Sequence, residues 1–444
     1  MPLAKFVSEA TGYKLSAISS KIMNFVNKLN LIAKDKNLRS RIIYLLGFLV
    51  LFRVLATIPI PGVDVLKLQE FFTNNQFFGL MNVFSGGGLS SLSIIMLGVG
   101  PYITASIIMQ LMTMMSEKLK QMYHEEGEAG KKKFSQYSRI LTVPLAMLQG
   151  YAFLTLLQNQ GAIGALGGFD MIANISVIVA GSMLLMWIGE LMTEFTIGNG
   201  VSIIIFAGIV ASLPTTISQL IFSFDISQLP MYIAFLVVAV IIVAGVVVVT
   251  EAERPIPINY SRRVRGNKVY GGVSTYLPLR VNQAGVIPII FALSILLFPQ
   301  MIFSFLANLE NGLILKISDF VLGILNNGWF YAAAYFVLVF LFTYFYTAVT
   351  FDPEAISTNL QRSGAFIPGI RPGGHTSEYI GKVLTRITLV GALFLGFIAV
   401  LPLIVRAITG ITSLAIGGTA LLIAVSVVLD LVKKVDAQVS VREY

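Results

Sequence analysis

Ten long apolar stretches recur along the chain, and all but the first are free of charged residues. About 20 apolar residues are enough for an α-helix to cross the hydrocarbon layer of a bilayer. Because lipid offers the backbone no hydrogen-bond partner, such stretches fold as helices. The sequence therefore predicts an all-α integral membrane protein with spans centred near residues 42–60, 95–115, 140–158, 171–189, 201–222, 231–250, 284–306, 329–350, 387–405 and 410–429.

The composition agrees with a membrane protein and excludes several other classes. Only 12% of the residues are charged, whereas a soluble domain carries about 25%. The chain has no cysteine, which rules out disulfides and thiolate metal sites. Its two histidines, His124 and His375, lie far apart in the sequence, so the helical zinc motif of membrane metalloproteases is missing.

Lysine and arginine are distributed unevenly between the connections. They concentrate in the N-terminal arm and in residues 117–140, 251–282 and 350–386, whereas the alternate connections hold only Lys67, Lys316 and Arg406. The positive-inside rule then predicts that the basic connections and both termini are cytoplasmic. The short connection 189–200 should share that side, although it carries Glu190 and Glu194 and no basic residue.

No constellation for catalysis or nucleotide hydrolysis is evident. The nearest approach to a phosphate loop, EGEAGKK at 126–132 with Glu125 before it, lacks the first glycine and the final hydroxyl. We therefore expect neither an enzyme nor a bound cofactor or metal, and driving energy from a partner or a gradient. Arg53 is the one ionisable residue clearly inside a span, which weakens an ion-coupled transporter of small solutes without excluding it.

The chain divides into four parts. An amphipathic N-terminal arm, 1–38, alternates apolar residues with lysines and is predicted to lie on anionic phospholipids, with a partner contact as the alternative. Two halves of five spans follow, at 39–222 and 223–435, and a short tail occupies 436–444. An inverted pair is a common plan in transport folds, but sequence similarity between the halves is too weak to establish it.

A segment rich in glycine and serine precedes the second span, in NVFSGGGLSSLSIIMLGVGPYITASIIMQL at 82–111. Gly86, Gly87 and Gly88 cost a helix about 1 kcal/mol each relative to alanine. The segment is uncharged but a poor helix former, so the residues alone leave open an outer loop that simply turns or a soft half-segment at membrane depth. A half-helix is tolerated there where it is surrounded by protein or lines a cavity.

Six motifs together resemble one family, the SecY/Sec61-alpha channels for protein translocation, in its bacterial form. They are FRVLATIPIPGVD (52–64), the segment 82–111, EEGEAGKKKFSQYSR (125–139), MWIGELMTEFTIGNGVSIIIFAGIV (186–210), STYLPLRVNQAGVIPIIFA (274–292) and SGAFIPGIRPGGHTSEYI (363–380). The similarity covers residues of about 38 to 435.

The resemblance implies ten helices in two pseudo-symmetric halves around an hourglass pore, closed by a half-helix plug at 77–94. It implies a passive conduit for secreted and membrane proteins in the bacterial plasma membrane. The implied partners are the SecE and SecG subunits, the SecA motor ATPase, the ribosome, signal peptides, and nascent or unfolded polypeptides.

The resemblance also implies roles for single residues. Plug residues are Asn82, Phe84, Ser85, Gly86, Gly87, Gly88 and Leu89. A ring of aliphatic side chains at the waist comprises Val99, Ile103, Ile205, Ile290 and Ile423. Polar positions of a lateral gate, between spans two and three on one side and spans seven and eight on the other, are Thr104, Gln149 and Asn282.

Two basic loops are implied to dock the motor and the ribosome. In 259–280, within the first of these loops, arginines alternate with tyrosines, a pattern that also suits nucleic-acid phosphate, acidic protein surfaces or anionic lipid. The docking residues are Arg254, Arg262, Arg263, Arg265, Lys268 and Arg371. Arg371 stands in a Pro/Gly turn, PGIRPGG, which would present its guanidinium at little ordering cost. The run TEAERPIPINY at 250–260 departs from the more basic segment expected of the family.

Overall fold

The structure is a computed structural model of the chain. It describes residues 35–61, 88–89, 92–124, 126–159, 163–164, 166–196, 198–222, 229–261, 263–265, 268–270, 274–306, 312–409 and 412–440.

Helices dominate the described residues. They are α1 Lys36–Thr57, α2 Gly100–Met115, α3 Glu117–His124, α4 Gly127–Asn159, α5 Gly168–Phe195, α6 Gly200–Phe222, α7 Leu229–Glu251, α8 Ile287–Leu306, α9 Gly312–Asn326, α10 Gly328–Thr350, α11 Pro353–Arg362, α12 Gly374–Thr409 and α13 Thr412–Ser440. The strands are β1 Glu253–Tyr260, β2 Arg263–Arg265, β3 Lys268–Tyr270, β4 Ser274–Arg280 and β5 Ala365–Phe366.

Every predicted span coincides with a helix, and the predicted all-α membrane fold is confirmed. Within the described residues, four helical segments are long and apolar enough on their own to cross a membrane, namely Lys36–Thr57, Gly168–Phe195, Gly328–Arg362 and Gly374–Leu401. The exact count of ten spans stays a prediction. The second span is shorter than expected, because residues 94–99 form turns and α2 begins at Gly100, with a proline in its first turn.

One large apolar core joins most of the bundle. Its buried residues come from α1, α2, α5, α6, α7, α8, α10, α12 and α13. A second buried cluster packs α4 and α5 against the turns that precede α2, through side chains such as Phe153, Ile178 and Met96. The turn segment is therefore held in the interior of the protein, where backbone that is not helical is tolerated at membrane depth.

The two long basic loops meet in one small sheet. Its strand order is β4-β1-β5, and both pairings are antiparallel. Ile256 and Leu279 from the first loop pack with Ile367 and Ile380 from the second in a third buried cluster. This sheet was not predicted from the sequence, and it makes the two loops one folded unit.

Gly181 of α5 lies in close contact with the backbone of the turn segment. A Cβ at this position would overlap the carbonyl oxygen of Ile94. We expect Gly181→Ala to destabilise the protein by about 1–3 kcal/mol, because a packed core has no room to yield. Thermal unfolding of the purified protein measures this. Gly47→Ala on α1 is the matched control, since nothing lies within 4 Å of a Cβ there, and equal effects of both variants would contradict the close contact.

Candidate functional site

A cavity of about 520 Å³ lies among α2, α4, α5, α6, α8 and α10. Much of its wall is polar, with side chains that include Ser106, Gln110, Ser135, Arg139, Glu190, Glu194 and Asn199. Three isoleucines from three different helices also line it: Ile103 of α2, Ile205 of α6 and Ile290 of α8. The cavity therefore has a wall of mixed polar and apolar side chains, and the three isoleucines on it come from separate helices.

The structure brings all five predicted ring residues into one buried cluster. Val99, Ile103, Ile205, Ile290 and Ile423 belong to the large apolar core, and each is at most 8% exposed. Val99 precedes α2, and its carbonyl accepts a hydrogen bond of 3.0 Å from the amide of Ile103, so the two lie one helical turn apart. Val99 and Ile423 are not among the cavity-lining residues.

An ion pair spans the polar wall. Arg139 Nε of α4 donates to Glu190 Oε1 of α5 at 2.8 Å, and the Ser135 hydroxyl donates to the same oxygen at 3.3 Å. The pair joins the basic segment 117–140 to the acidic connection 189–200, which explains why that connection can lack a base of its own. This pair was not predicted from the sequence. A short connection joins the end of α4 to the start of α5, so the start of α4 and the end of α5 come together at the other end of the antiparallel pair.

A tight turn between α5 and α6 holds the acidic wall beside the cavity. The Asn199 side chain accepts from the amides of Val201 at 3.0 Å and Ser202 at 3.3 Å, which caps α6. The Thr193 hydroxyl accepts from the amide of Gly200 at 2.9 Å. A Cβ on Gly200 would overlap the carbonyl of Gly189, so the turn requires glycine at this position.

The predicted plug is only partly within the described residues. Asn82, Phe84, Ser85, Gly86 and Gly87 lie outside them. Gly88 and Leu89 are described, and both are buried, with Leu89 in the second apolar cluster.

A short antiparallel contact anchors the end of this segment. The Ile60 amide donates to the Leu92 carbonyl at 2.8 Å, and the Ile94 amide donates to the Ile58 carbonyl at 3.0 Å. Leu92 has a φ of 39°, in a region that non-glycine residues rarely occupy. The TIPIPG motif thus ends α1 and clamps the chain just before Val99.

Two of the predicted gate residues lie on helices that contact α8, and the third lies just before it: Thr104 on α2, Gln149 on α4 and Asn282. Helix α8 contacts both α2 and α4. Thr104 donates to the Gly100 carbonyl at 3.0 Å, and Asn282 Nδ2 donates to the Gly285 carbonyl at 3.2 Å, so these bonds stay within their own segments. Gln149 is buried on α4. Asn282 precedes α8 and packs beside Gly391 of α12; a bond across the seam of α8 with α2 and α4 stays a prediction.

Four of the predicted docking residues lie on the sheet or on the β2–β3 hairpin. Arg254 is exposed on β1, opposite Leu279 of β4. Arg263, Arg265 and Lys268 belong to the β2–β3 hairpin, in which Arg265 pairs with Lys268, and Arg262 lies outside the described residues. The two prolines of the departing run TEAERPIPINY fall in β1, where only β4 pairs alongside them, as expected of strand prolines.

Arg371 is exposed on a turn that several contacts hold in place. Its carbonyl accepts from the Thr376 hydroxyl at 3.0 Å, and the Ser357 hydroxyl of α11 donates to the Gly373 carbonyl at 2.7 Å. Gly369 and Gly373 have φ of 80° and 100°, which glycine adopts without strain. The turn follows β5, so the same sheet that carries Arg254 orients Arg371.

A bundle of apolar helices around a cavity lined by isoleucines from three of them, together with a folded unit made of two basic loops, is typical of a channel-like membrane protein. A family model described as SecY matches residues 93–432. Among curated relatives, the protein translocase subunit SecY of Mycobacterium tuberculosis is 39% identical over 440 residues, covering 92% of this chain and 96% of that protein. The one from Thermus thermophilus is 42% identical over 417 residues, covering 92% and 94%. The chain belongs to the SecY family of protein translocase subunits.

Solved structures agree on the fold. A protein-conducting channel superposes with a TM-score of 0.63 at 20% identity, covering 91% of this chain and 93% of that one. Sec61 from the canine ribosome–channel complex of the endoplasmic reticulum gives 0.60 at 20% identity, with the same coverage. The SecY/Sec61 channel fold predicted from the sequence is confirmed.

Proposed function

We propose that this chain is the passive polypeptide-conducting pore of a Sec translocase in the plasma membrane of a bacterium, with both termini in the cytoplasm. The observation that carries the proposal is the convergence of Ile103, Ile205 and Ile290 from three helices on one cavity whose wall also carries polar side chains. Hydroxyls, amides and charges in the wall can solvate the backbone of an extended chain, whereas the isoleucines exclude water when no chain is present.

Two further elements complete the proposed cycle. The plug at 77–94 closes the outer side of the waist. It moves aside by pivoting about its C-terminal end, where residues 92–94 pair with residues 58–60. The seam of α8 with α2 and α4 opens sideways to release signal peptides and membrane segments into lipid. Thr104, Gln149 and Asn282 would tune this opening through weak bonds across the helices, about 0.6 kcal/mol each.

The energy for transport comes from outside the chain, which we propose has no enzymatic activity. The platform formed by 251–282 and 350–386 would receive the SecA motor or the ribosome, and SecE and SecG would brace the bundle. Support for the platform comes from the exposed Arg254 and Arg371 on a single folded unit. Support for the ribosome comes from the structural neighbour in a ribosome–channel complex.

Disulfide trapping tests the conduit directly, because the chain has no cysteine of its own. A precursor carrying one cysteine, arrested during transport into proteoliposomes, should crosslink to Ile205→Cys at the waist. Val240→Cys is the control, since Val240 is 60% exposed on the outer surface of α7. Crosslinks to Val240 in place of Ile205 would contradict the proposal, and ion-coupled uptake of a small solute by the same vesicles would favour a transporter.

A further inference from the structure

Helix α9, between α8 and α10, is one that the span pattern did not predict. It contacts both of these helices, and its residues fall into stripes that recur every three or four positions. The packed stripe includes Ser318, which is fully buried, together with the partly buried Ile314, Val321 and Leu325. The opposite stripe is small or charged and exposed, and consists of Gly312, Lys316, Asp319 and Gly323.

A third stripe lies between these two and is apolar but uncovered. Leu313, Ile317 and Phe320 are 75%, 56% and 70% exposed. In a water-surrounded protein a packed face and a polar face would account for the whole helix. Here a flank of large apolar side chains separates them, so this flank faces something other than water.

The position of α9 in the chain indicates how deep it lies relative to the bilayer. It ends at Asn326, and Asn327 caps the next helix by accepting from the amides of Trp329 at 3.1 Å and Phe330 at 3.4 Å. That next helix, α10, is one of the membrane-length helices. Trp329 is 76% exposed in its first turn, and exposed tryptophans mark the boundary between water and hydrocarbon. One residue therefore separates α9 from this boundary.

We propose that α9 lies in the boundary layer of the bilayer, on the side opposite the basic platform, with Leu313, Ile317 and Phe320 against acyl chains. Lys316 and Asp319 then reach into the headgroup layer. Because this polar stripe carries one charge of each sign, the contact needs no anionic lipid, unlike the contact predicted for the N-terminal arm. The proposal depends on α8 and α10 crossing the membrane and not on the cargo of the pore.

Spin labelling tests the proposal in the full chain, because a cysteine-free sequence accepts one label at a time. Labels at Phe320→Cys and Ile317→Cys are compared with a label at Gly323→Cys, where a Cβ meets nothing within 4 Å. Collision rates with oxygen, which concentrates in hydrocarbon, and with a water-soluble nickel complex are measured in vesicles of phosphatidylcholine alone and with added phosphatidylglycerol. The expected oxygen-to-nickel ratio is several-fold higher at 317 and 320 than at 323, in both lipids.

Three other outcomes would overturn the proposal. Equal nickel access at 320 and 323 would mean that the flank faces water. Labels at 317 and 320 that are immobile and shielded from both reagents would mean that protein covers the flank, either a second copy or residues outside the described part of the chain. If oxygen reached the label at 320 only in vesicles that contain phosphatidylglycerol, the contact would be electrostatic. The polar stripe, with one charge of each sign, does not predict such a contact.

Discussion

Replacing Ile103 and Ile205 together with glycine is expected to make the resting protein conduct ions. Both side chains are buried and line the cavity. An aliphatic waist blocks ions because water evaporates from it, and removing two of its side chains lets water enter. Single-channel recording in planar bilayers, or vesicle ion flux, should show a large resting leak in the double variant and a smaller one in each single variant.

The control for this experiment is Ile204→Gly. Ile204 is adjacent to Ile205 and equally buried, but it packs toward Gly189 of α5 and does not line the cavity. Ile204→Gly removes the same side chain and lowers helix propensity by the same amount as Ile205→Gly. Any leak that it causes therefore measures the effect of loosening the helix packing in general. Replacing Ile103 and Ile205 with serine wets the waist with less damage to the helices. An equal leak in the Ile204 variant would contradict a sealing role for Ile103 and Ile205. The absence of a leak in both the double glycine variant and the double serine variant would contradict it as well.

The spans could be predicted because membrane insertion leaves a simple signal. Lipid imposes long uncharged helices, and each of the ten apolar stretches does lie on a helix. The start of the second span was wrong, since residues 94–99 are as apolar as the helix that follows but form turns. Hydropathy does not distinguish apolar backbone buried in protein from apolar backbone facing lipid.

Contacts between distant segments were harder to predict. The sheet that unites the basic loops depends on Asn259 and Tyr260 pairing with Phe366 and Ala365, about a hundred residues away. Prolines at 255 and 257 also argue against a strand, because proline cannot donate a hydrogen bond to a neighbouring strand. They are compatible with β1 only because that part of the strand pairs on one side. The Arg139–Glu190 pair depends on the packing of α4 against α5. Such features require knowledge of three-dimensional neighbours. The five ring positions came from the family resemblance; all five lie in the large apolar core, and their role as a ring stays a prediction.

Charge reversal at Arg371 is expected to abolish motor-driven secretion while the seal is kept. The guanidinium is exposed on a turn fixed by Thr376 and Ser357, and it forms no ion pair within the described part of the chain. A bidentate contact with a carboxylate or phosphate of a partner is worth about 1.5–3 kcal/mol, roughly ten- to a hundredfold in binding. Arg371→Glu replaces this attraction with repulsion, and Arg371→Lys retains only the charge.

The measurement is import of a precursor into proteoliposomes with motor and ATP, beside ion conductance of the same vesicles. Arg362→Glu is the matched control, because Arg362 is an exposed arginine of the same loop, at the end of α11. Import should fail with Arg371→Glu, fall partly with Arg371→Lys and persist with Arg362→Glu, while all three stay closed to ions. Because neither Arg371 nor any residue of the apolar cluster in its folded unit lines the cavity, a leak in the Arg371→Glu vesicles would show that the turn supports the fold. Normal import would remove the docking role.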